Sequence, residues 1–194
     1  MNEIFTELVD SIFKDIRTLK IPPPYLENGI SDSLRNVRIK KYNIALAENE
    51  KKNTEIKNDT SRIVIAIYDT IEKQSVSDGN ELIKYNNIEY LFNPKTKKIE
   101  YKIDISKIKK SDKYIFKYRS DFPKGRDIWR NEYPFYLGGV VSFSRIMFDN
   151  DKNYGVLIGG ISYGILNGVG YRIYIKKDMS GKWIIEKKKG ISIS

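Results

Sequence analysis

GGISYGILNGVG, residues 159–170, holds five glycines in twelve positions, and its reading decides the kind of fold this chain adopts. No side chain from Tyr154 to Tyr171 carries a charge, and Gly160, Gly164 and Gly168 fall four residues apart. Three structures compete for it: a membrane helix with a glycine packing face, a phosphate-cradling loop, and a β-hairpin. The uncharged length reaches the span of a bilayer, and small residues every fourth position let helices approach closely. Six glycines, an Asn and a Ser make it a poor helix, since each glycine disfavours helix by roughly 1 kcal/mol relative to Ala. A phosphate loop needs Gly-x-x-x-x-Gly-Lys-Ser/Thr or Gly-x-Gly-x-x-Gly, and neither pattern is present. The hairpin remains. Asn167-Gly168 is a favoured tight-turn pair, and Gly159-Gly160 within a strand marks a bulge, a bend or a close approach by another group.

Working outward, VVSFSRIMF (140–148), YGVLIGGISYG (154–164), VGYRIYIKK (169–177) and KWIIEKKKGISIS (182–194) read as strands. The polar segments DNDKN, ILNG and DMSG join them. Short turns at this spacing predict an antiparallel meander. Upstream, RIVIAIYDTI (62–71) is a β-branched run that reads as a buried strand, and YIFKYRS (114–120) alternates as another. SVSDGN reads as a turn, and IEYLFN and KKIEYKIDI read as short strands joined by NPKT.

The N-terminus differs. Ile4, Phe5, Leu8, Val9, Ile12, Phe13, Ile16 and Leu19 recur at helical spacing until IPPP (21–24) ends the pattern. Residues 25–60 are ambiguous. Ser31 or Ser33 would cap a helix and NIALAENEKK reads as helix, yet VRIKKYNIAL also suits a strand. The fold expected is α+β over residues 1–194: a single domain, mainly helical over 1–60 and mainly antiparallel sheet over 61–194. Its N-terminal amphipathic helix packs on a curved sheet.

Composition narrows the chemistry. The 194 residues include no Cys and no His, which removes disulfides, thiolate nucleophiles, zinc–thiolate sites and the Ser-His-Asp and Cys-His arrangements. The sequence predicts no cofactor, no metal site and no catalytic residue. The net charge of +10 is uneven: residues 1–60 balance ten Lys/Arg against ten Asp/Glu, and residues 95–130 hold thirteen basic and five acidic side chains. Such a stretch fits nucleic acid, anionic lipid or an acidic protein surface, or simply a solvated lysine-rich face. Acidic residues interrupt the N-terminal helix early and no apolar run follows a basic start, so the chain reads as soluble and cytoplasmic, with a removed leader left open.

Candidate sites follow from these patterns. Residues 107–136 interleave Lys and Arg with Tyr114, Phe116, Tyr118, Phe122, Trp129, Tyr133 and Tyr136. Cations neutralise phosphates while aromatic faces stack on bases, and Trp, Tyr and Arg equally dominate protein–protein hot spots. Tyr118, Arg119, Lys124, Arg126, Trp129 and Arg130 are the predicted partner-binding residues. Gly159, Gly160 and Tyr163 are the predicted lining of a ligand pocket. Asp121, Asp127 and Glu132, near Arg126, Arg130 and Trp129, are the one plausible catalytic set, since glycosidases use two carboxylates beside aromatic platforms, but nothing in their spacing makes them converge and they read rather as ion-pair partners of the surrounding Arg and Lys. Asp149, Asn150, Asp151 and Asn153 lack the glycine and terminal Glu of a calcium loop and read as a turn.

Residues 121–129 (DFPKGRDIW), 136–149 (YLGGVVSFSRIMFD) and 181–194 (GKWIIEKKKGISIS) resemble a set of uncharacterised bacterial proteins. These carry an SFSR-x-x-F segment, a Gly/Tyr-rich hairpin and a terminal Gly-Lys-Trp-x-Ile strand. The resemblance spans roughly residues 114–194 and implies no activity. Relatives of that kind carry a Cys-Gly-Gly-Leu-Cys-Gly-like hairpin where ISYGILNG stands here, so no metal or redox role follows. The terminal strand also resembles that of nuclear-transport-factor-like cone folds, which implies a helix against a bent sheet and a small-molecule cavity. The expected function is a non-catalytic binding protein, of the kind that neutralises a toxin as an immunity protein does. Single-stranded nucleic-acid binding through 107–136 and a small-ligand pocket in a cone-like fold are the alternatives.

Overall fold

The computed structural model describes residues 3–18, 20–71 and 101–193. The chain forms two compact units, one of Met1–Lys14 with Arg62–Ser194 and the other of Asp15–Ser61. The turn expected at SVSDGN, the strand IEYLFN and the NPKT connection lie outside the described residues.

The helical unit centres on α2, Asp32–Asn58. Ser31 caps it, its hydroxyl accepting from the Leu34 amide at 3.4 Å, and VRIKKYNIAL is therefore helix rather than strand. None of its 27 residues is buried. Arg17, in a short 3₁₀ turn at Ile16–Thr18, pairs with Asp15 at 2.7 Å and with Asp59 at 3.4 Å, so the unit is closed by charge at one end of the helix.

The other unit is a helix on a sheet. Helix α1, Phe5–Ile12, is shorter than the apolar periodicity implied. Its stripe of Phe5, Leu8, Val9 and Ile12 is buried in the main core, where each such side chain contributes roughly 1.5–3 kcal/mol. In the sheet are β1 (Ile63–Ile67), β4 (Tyr114–Tyr118), β5 (Leu137–Phe143), β6 (Met147–Phe148), β7 (Tyr154–Gly164), β8 (Asn167–Lys177) and β9 (Trp183–Ile193). Strands β2 (Thr70–Ile71) and β3 (Tyr101–Lys102) form a separate pair. The order across the main sheet is β4-β1-β5-β7-β8-β9, with β6 beside β7.

That sheet is mixed, which corrects the expectation of an antiparallel one. Strands β5, β7, β8 and β9 pair antiparallel as predicted, but β1 runs parallel to both β4 and β5. The reason is visible in β1 itself. All five residues of IVIAI are buried, with no polar alternation, because both faces of this strand are covered. Continuous apolar runs of this kind belong to parallel strands joined by long crossovers.

The glycine stretch is the β7–β8 hairpin. Its two-residue tip is Ile165-Leu166, and Asn167 and Gly168 belong to β8, not to the turn as predicted. Register explains the shift: Leu157 opposite Ile173 and Ile161 opposite Val169 set the pairing, and a bulge between Ser162 and Gly164 absorbs the remainder. Among the described residues, no helix is long and apolar enough to cross a membrane. Gly159 is required by close approach. A methyl there would lie 2.9 Å from Phe143 Cε1 and 3.0 Å from Ile173 Cδ1. Gly159→Ala is therefore expected to destabilise the fold by about 1–3 kcal/mol, as overpacked cores do, measured as a drop in the urea midpoint. An unchanged midpoint would show that Phe143 yields without cost.

The strand expected over 140–148 is interrupted at Arg145 and Ile146, just after Ser144. This buried serine accepts from the Ile158 amide at 2.8 Å through its hydroxyl and donates to the Arg145 carbonyl at 3.1 Å. After β6, the Asp149 carboxylate accepts from the amides of Asn153 and Tyr154, each at 2.8 Å, so DNDKN is a side-chain-closed turn. The β8–β9 turn uses the same device. Asp178 accepts from the Ser180 hydroxyl at 2.6 Å and from the Ser180 and Lys182 amides at 2.8 and 3.0 Å. These bonds, the Ser180 hydroxyl first, hold its carboxyl below the usual carboxylate range. The stabilising contribution is present above the unfolded value of about 3.9 and is lost as pH falls through the lower folded value. An NMR titration should show the Ser180 and Lys182 amides shifting together below about pH 4, with the transition abolished in Asp178→Asn.

Candidate functional site

The mixed topology places a crevice at one end of the sheet. Strands β1 and β4 lie side by side and parallel, Ile67 opposite Tyr118, so both end at the same edge. The described part of the connection after β1 packs Ile103 and Ile108 into the core beneath α1. The connection after β4 takes the opposite face, where Phe122 and Ile128 cover Val64, Ala66 and Val140. Loops that leave neighbouring parallel strands toward opposite faces open a gap at the carboxyl ends, which is where α/β sheets bind ligands.

A cleft of about 680 Å³ occupies this position. Tyr68 and Asp69 enter it from the end of β1, and Arg119 and Ser120 from the end of β4. Phe122, Lys124, Arg126 and Trp129 form a second wall, and Ser162 and Ile165 of the hairpin close the far side. Across the gap, Ser120 donates its amide to Asp69 Oδ1 at 3.1 Å and its hydroxyl to Oδ2 at 2.6 Å.

The second wall is a braced loop. Arg119 donates through Nη1 to the Phe122 carbonyl at 3.4 Å and through Nη2 to the Gly125 carbonyl at 3.1 Å. Gly125 has a φ of 59°, a conformation open to glycine at little cost, and it starts a 3₁₀ turn that runs to Trp129. Lys124 and Arg126 flank this glycine and are exposed. Among the described residues neither side chain has a carboxylate within ion-pairing distance. The wall therefore presents two cations beside an indole.

Of the six residues expected to bind a partner, Arg119, Lys124, Arg126 and Trp129 meet in the cleft. Tyr118 lies apart from its lining. The Tyr118 hydroxyl donates to the Ile103 carbonyl at 2.9 Å and accepts from the Ile105 amide at 3.2 Å. Arg130 also lies apart and pairs with Asp127 at 3.5 Å. Gly159 sits against Phe143, and Gly160 lines a smaller depression of about 180 Å³ with Ser142, Gly170 and Ser192. Tyr163 accepts from the Lys14 amide at 2.8 Å and donates to the Ile12 carbonyl at 3.3 Å, holding the end of α1 to the hairpin. Asp121 caps its own turn by accepting from the Tyr118 amide.

Most aromatics of residues 107–136 are spent on packing. Tyr114 and Phe122 are buried, Phe116 meets Phe5 edge-on, and Tyr133 stacks on Phe135 with ring centres 5.3 Å apart. Sequence reasoning missed Tyr68, Asp69, Ser120, Ser162 and Ile165. The signal for the first two was their place directly after a fully apolar strand, where a parallel sheet exposes its loops. No protein-family model, curated protein or solved structure matches this chain, so the cleft's own geometry carries the functional reading.

Proposed function

We propose that this protein is a binding module whose cleft at the carboxyl ends of β1 and β4 takes up an anionic ligand. The observation that carries this is the pair Lys124 and Arg126, two cations with no carboxylate in ion-pairing distance among the described residues, beside Trp129 on the wall of a ligand-sized cleft. Two like-signed cations on one wall of a cleft focus an attractive field on an anion that enters it. A thermal-shift series tests the reading, with phosphate, citrate, AMP and their uncharged counterparts at graded salt. Anions should raise the melting temperature by mass action and lose that effect as salt rises. The reading falls if none of the anions shifts the transition.

A second reading has its own support. The hairpin tip beside the cleft leaves Leu166 81% exposed and Ile165 42% exposed, so an apolar patch adjoins the cationic wall. An acidic protein surface with an apolar centre would suit that combination, as an immunity-type inhibitor meeting its toxin would present it. A protein partner retained after nuclease treatment, and released by substitution of Leu166 together with Arg126, supports this version. Single-stranded nucleic acid is less well served, because the stacking platforms it needs are packed inside.

A further inference from the structure

Resting on the anionic-ligand reading, we propose that the cleft binds a nucleoside phosphate. The phosphate lies against Lys124 and Arg126, the base against Trp129, and the ribose hydroxyls toward Asp69. A site shaped for a simple polyanion would exclude a carboxylate from its lining, yet Asp69 lines the cleft that Lys124 and Arg126 also line. Ser120 holds both of its oxygens in place, and a carboxylate with about four acceptor sites retains capacity for two more donors. The site is therefore bipolar, calling for hydroxyl donors at one end of the ligand and negative charge at the other.

The remaining walls narrow the class. Trp129, half-buried against the Phe122 and Ile128 cluster, and the half-exposed Tyr68 both line the cleft, and the aromatic surface they leave there suits a planar heterocycle. A vicinal diol on a carboxylate at the end of a parallel strand is the arrangement by which such crevices hold ribose. The volume of about 680 Å³ is within the range of small-molecule sites and leaves room for base, sugar and phosphate together. An aromatic amino acid would match the signs of the groups but would use one cation and leave much of this space empty.

The test uses the full chain carrying Trp183→Phe, which leaves Trp129 as the reporter of the two tryptophans. Fluorescence titration and calorimetry are run with AMP, GMP, CMP and UMP, and with adenosine, ribose 5-phosphate, inorganic phosphate and L-tryptophan. At least one nucleotide should quench Trp129 and bind about tenfold or more tighter than its nucleoside and than phosphate, since each charge-assisted contact is of that order. Arg126→Ala should weaken the nucleotide by about 10- to 100-fold and leave adenosine unchanged. Trp129→Ala should weaken nucleotide and nucleoside alike while sparing ribose 5-phosphate. Asp69→Asn should remove the preference for a ribonucleotide over its 2′,3′-dideoxy form, and Ser120→Ala checks that the loop survives loss of their mutual bonds. Equal binding of ribose 5-phosphate and the nucleotides, or tighter binding of L-tryptophan, overturns the nucleoside assignment and leaves the anionic-ligand reading standing. Citrate or phosphate binding with no response to any nucleotide does the same. No response to any anion overturns both.

Discussion

Phe5→Ala is expected to destabilise the sheet-bearing unit by about 3–5 kcal/mol, the range for removing a buried aromatic side chain. Phe5 is 1% exposed, and its ring meets Phe116 of β4 edge-on at 5.6 Å and Phe143 of β5 at 5.3 Å. It thus ties α1 to both strands that flank β1. Paired rings of this geometry add roughly 0.5–1.5 kcal/mol beyond their burial, so the loss exceeds that of an isolated apolar side chain. Urea unfolding should show a lower midpoint with an unchanged slope. A loss below about 1 kcal/mol would mean that α1 is not a working part of the core.

The charge-reversed double variant Lys124→Glu/Arg126→Glu is expected to separate binding from stability. Both side chains are exposed and neither has an ion-pair partner among the described residues, so the unfolding free energy should change by no more than about 0.5 kcal/mol. Affinity for an anionic ligand should fall by about 100-fold or more, because two favourable contacts become two repulsions beside Asp69. Retained affinity would move the binding site away from this cleft. A large loss of stability would show that the loop depends on these charges rather than on Arg119.

These expectations rest on features that were unequally legible in the sequence. Strands β7, β8 and β9 follow from alternation and polar turns, since consecutive antiparallel strands are specified by neighbouring residues. The helix face Phe5, Leu8, Val9 and Ile12 was equally plain. The parallel half was not, because β1 pairs with β4 some fifty residues later and no local signal records that register. The reading of an antiparallel sheet failed there, although IVIAI already lacked the alternation that a half-exposed strand shows. The same split governs the site. Composition picked out Arg119, Lys124, Arg126 and Trp129, which are adjacent in sequence, whereas Asp69 faces Ser120 only through the crossover. Asn167-Gly168 misled because turn propensity is local and yielded to the core pairing of Leu157 with Ile173.

The attachment of α1 has a further consequence for how the chain matures. Its apolar face is covered by Val141, Phe143, Leu157 and Ile161, which lie well over a hundred residues downstream. At about 5–20 residues per second of synthesis, that face waits on the order of ten seconds for its cover. During this interval Phe5, Leu8, Val9 and Ile12 are an open apolar stripe on a short helix, suited to a chaperone's grip. The β7–β9 meander pairs strands that are neighbours in sequence, so it is expected to form before α1 and β1 dock on it. Slowing translation would lengthen the exposure, and variants that weaken the hairpin would show it first as lost yield rather than lost binding.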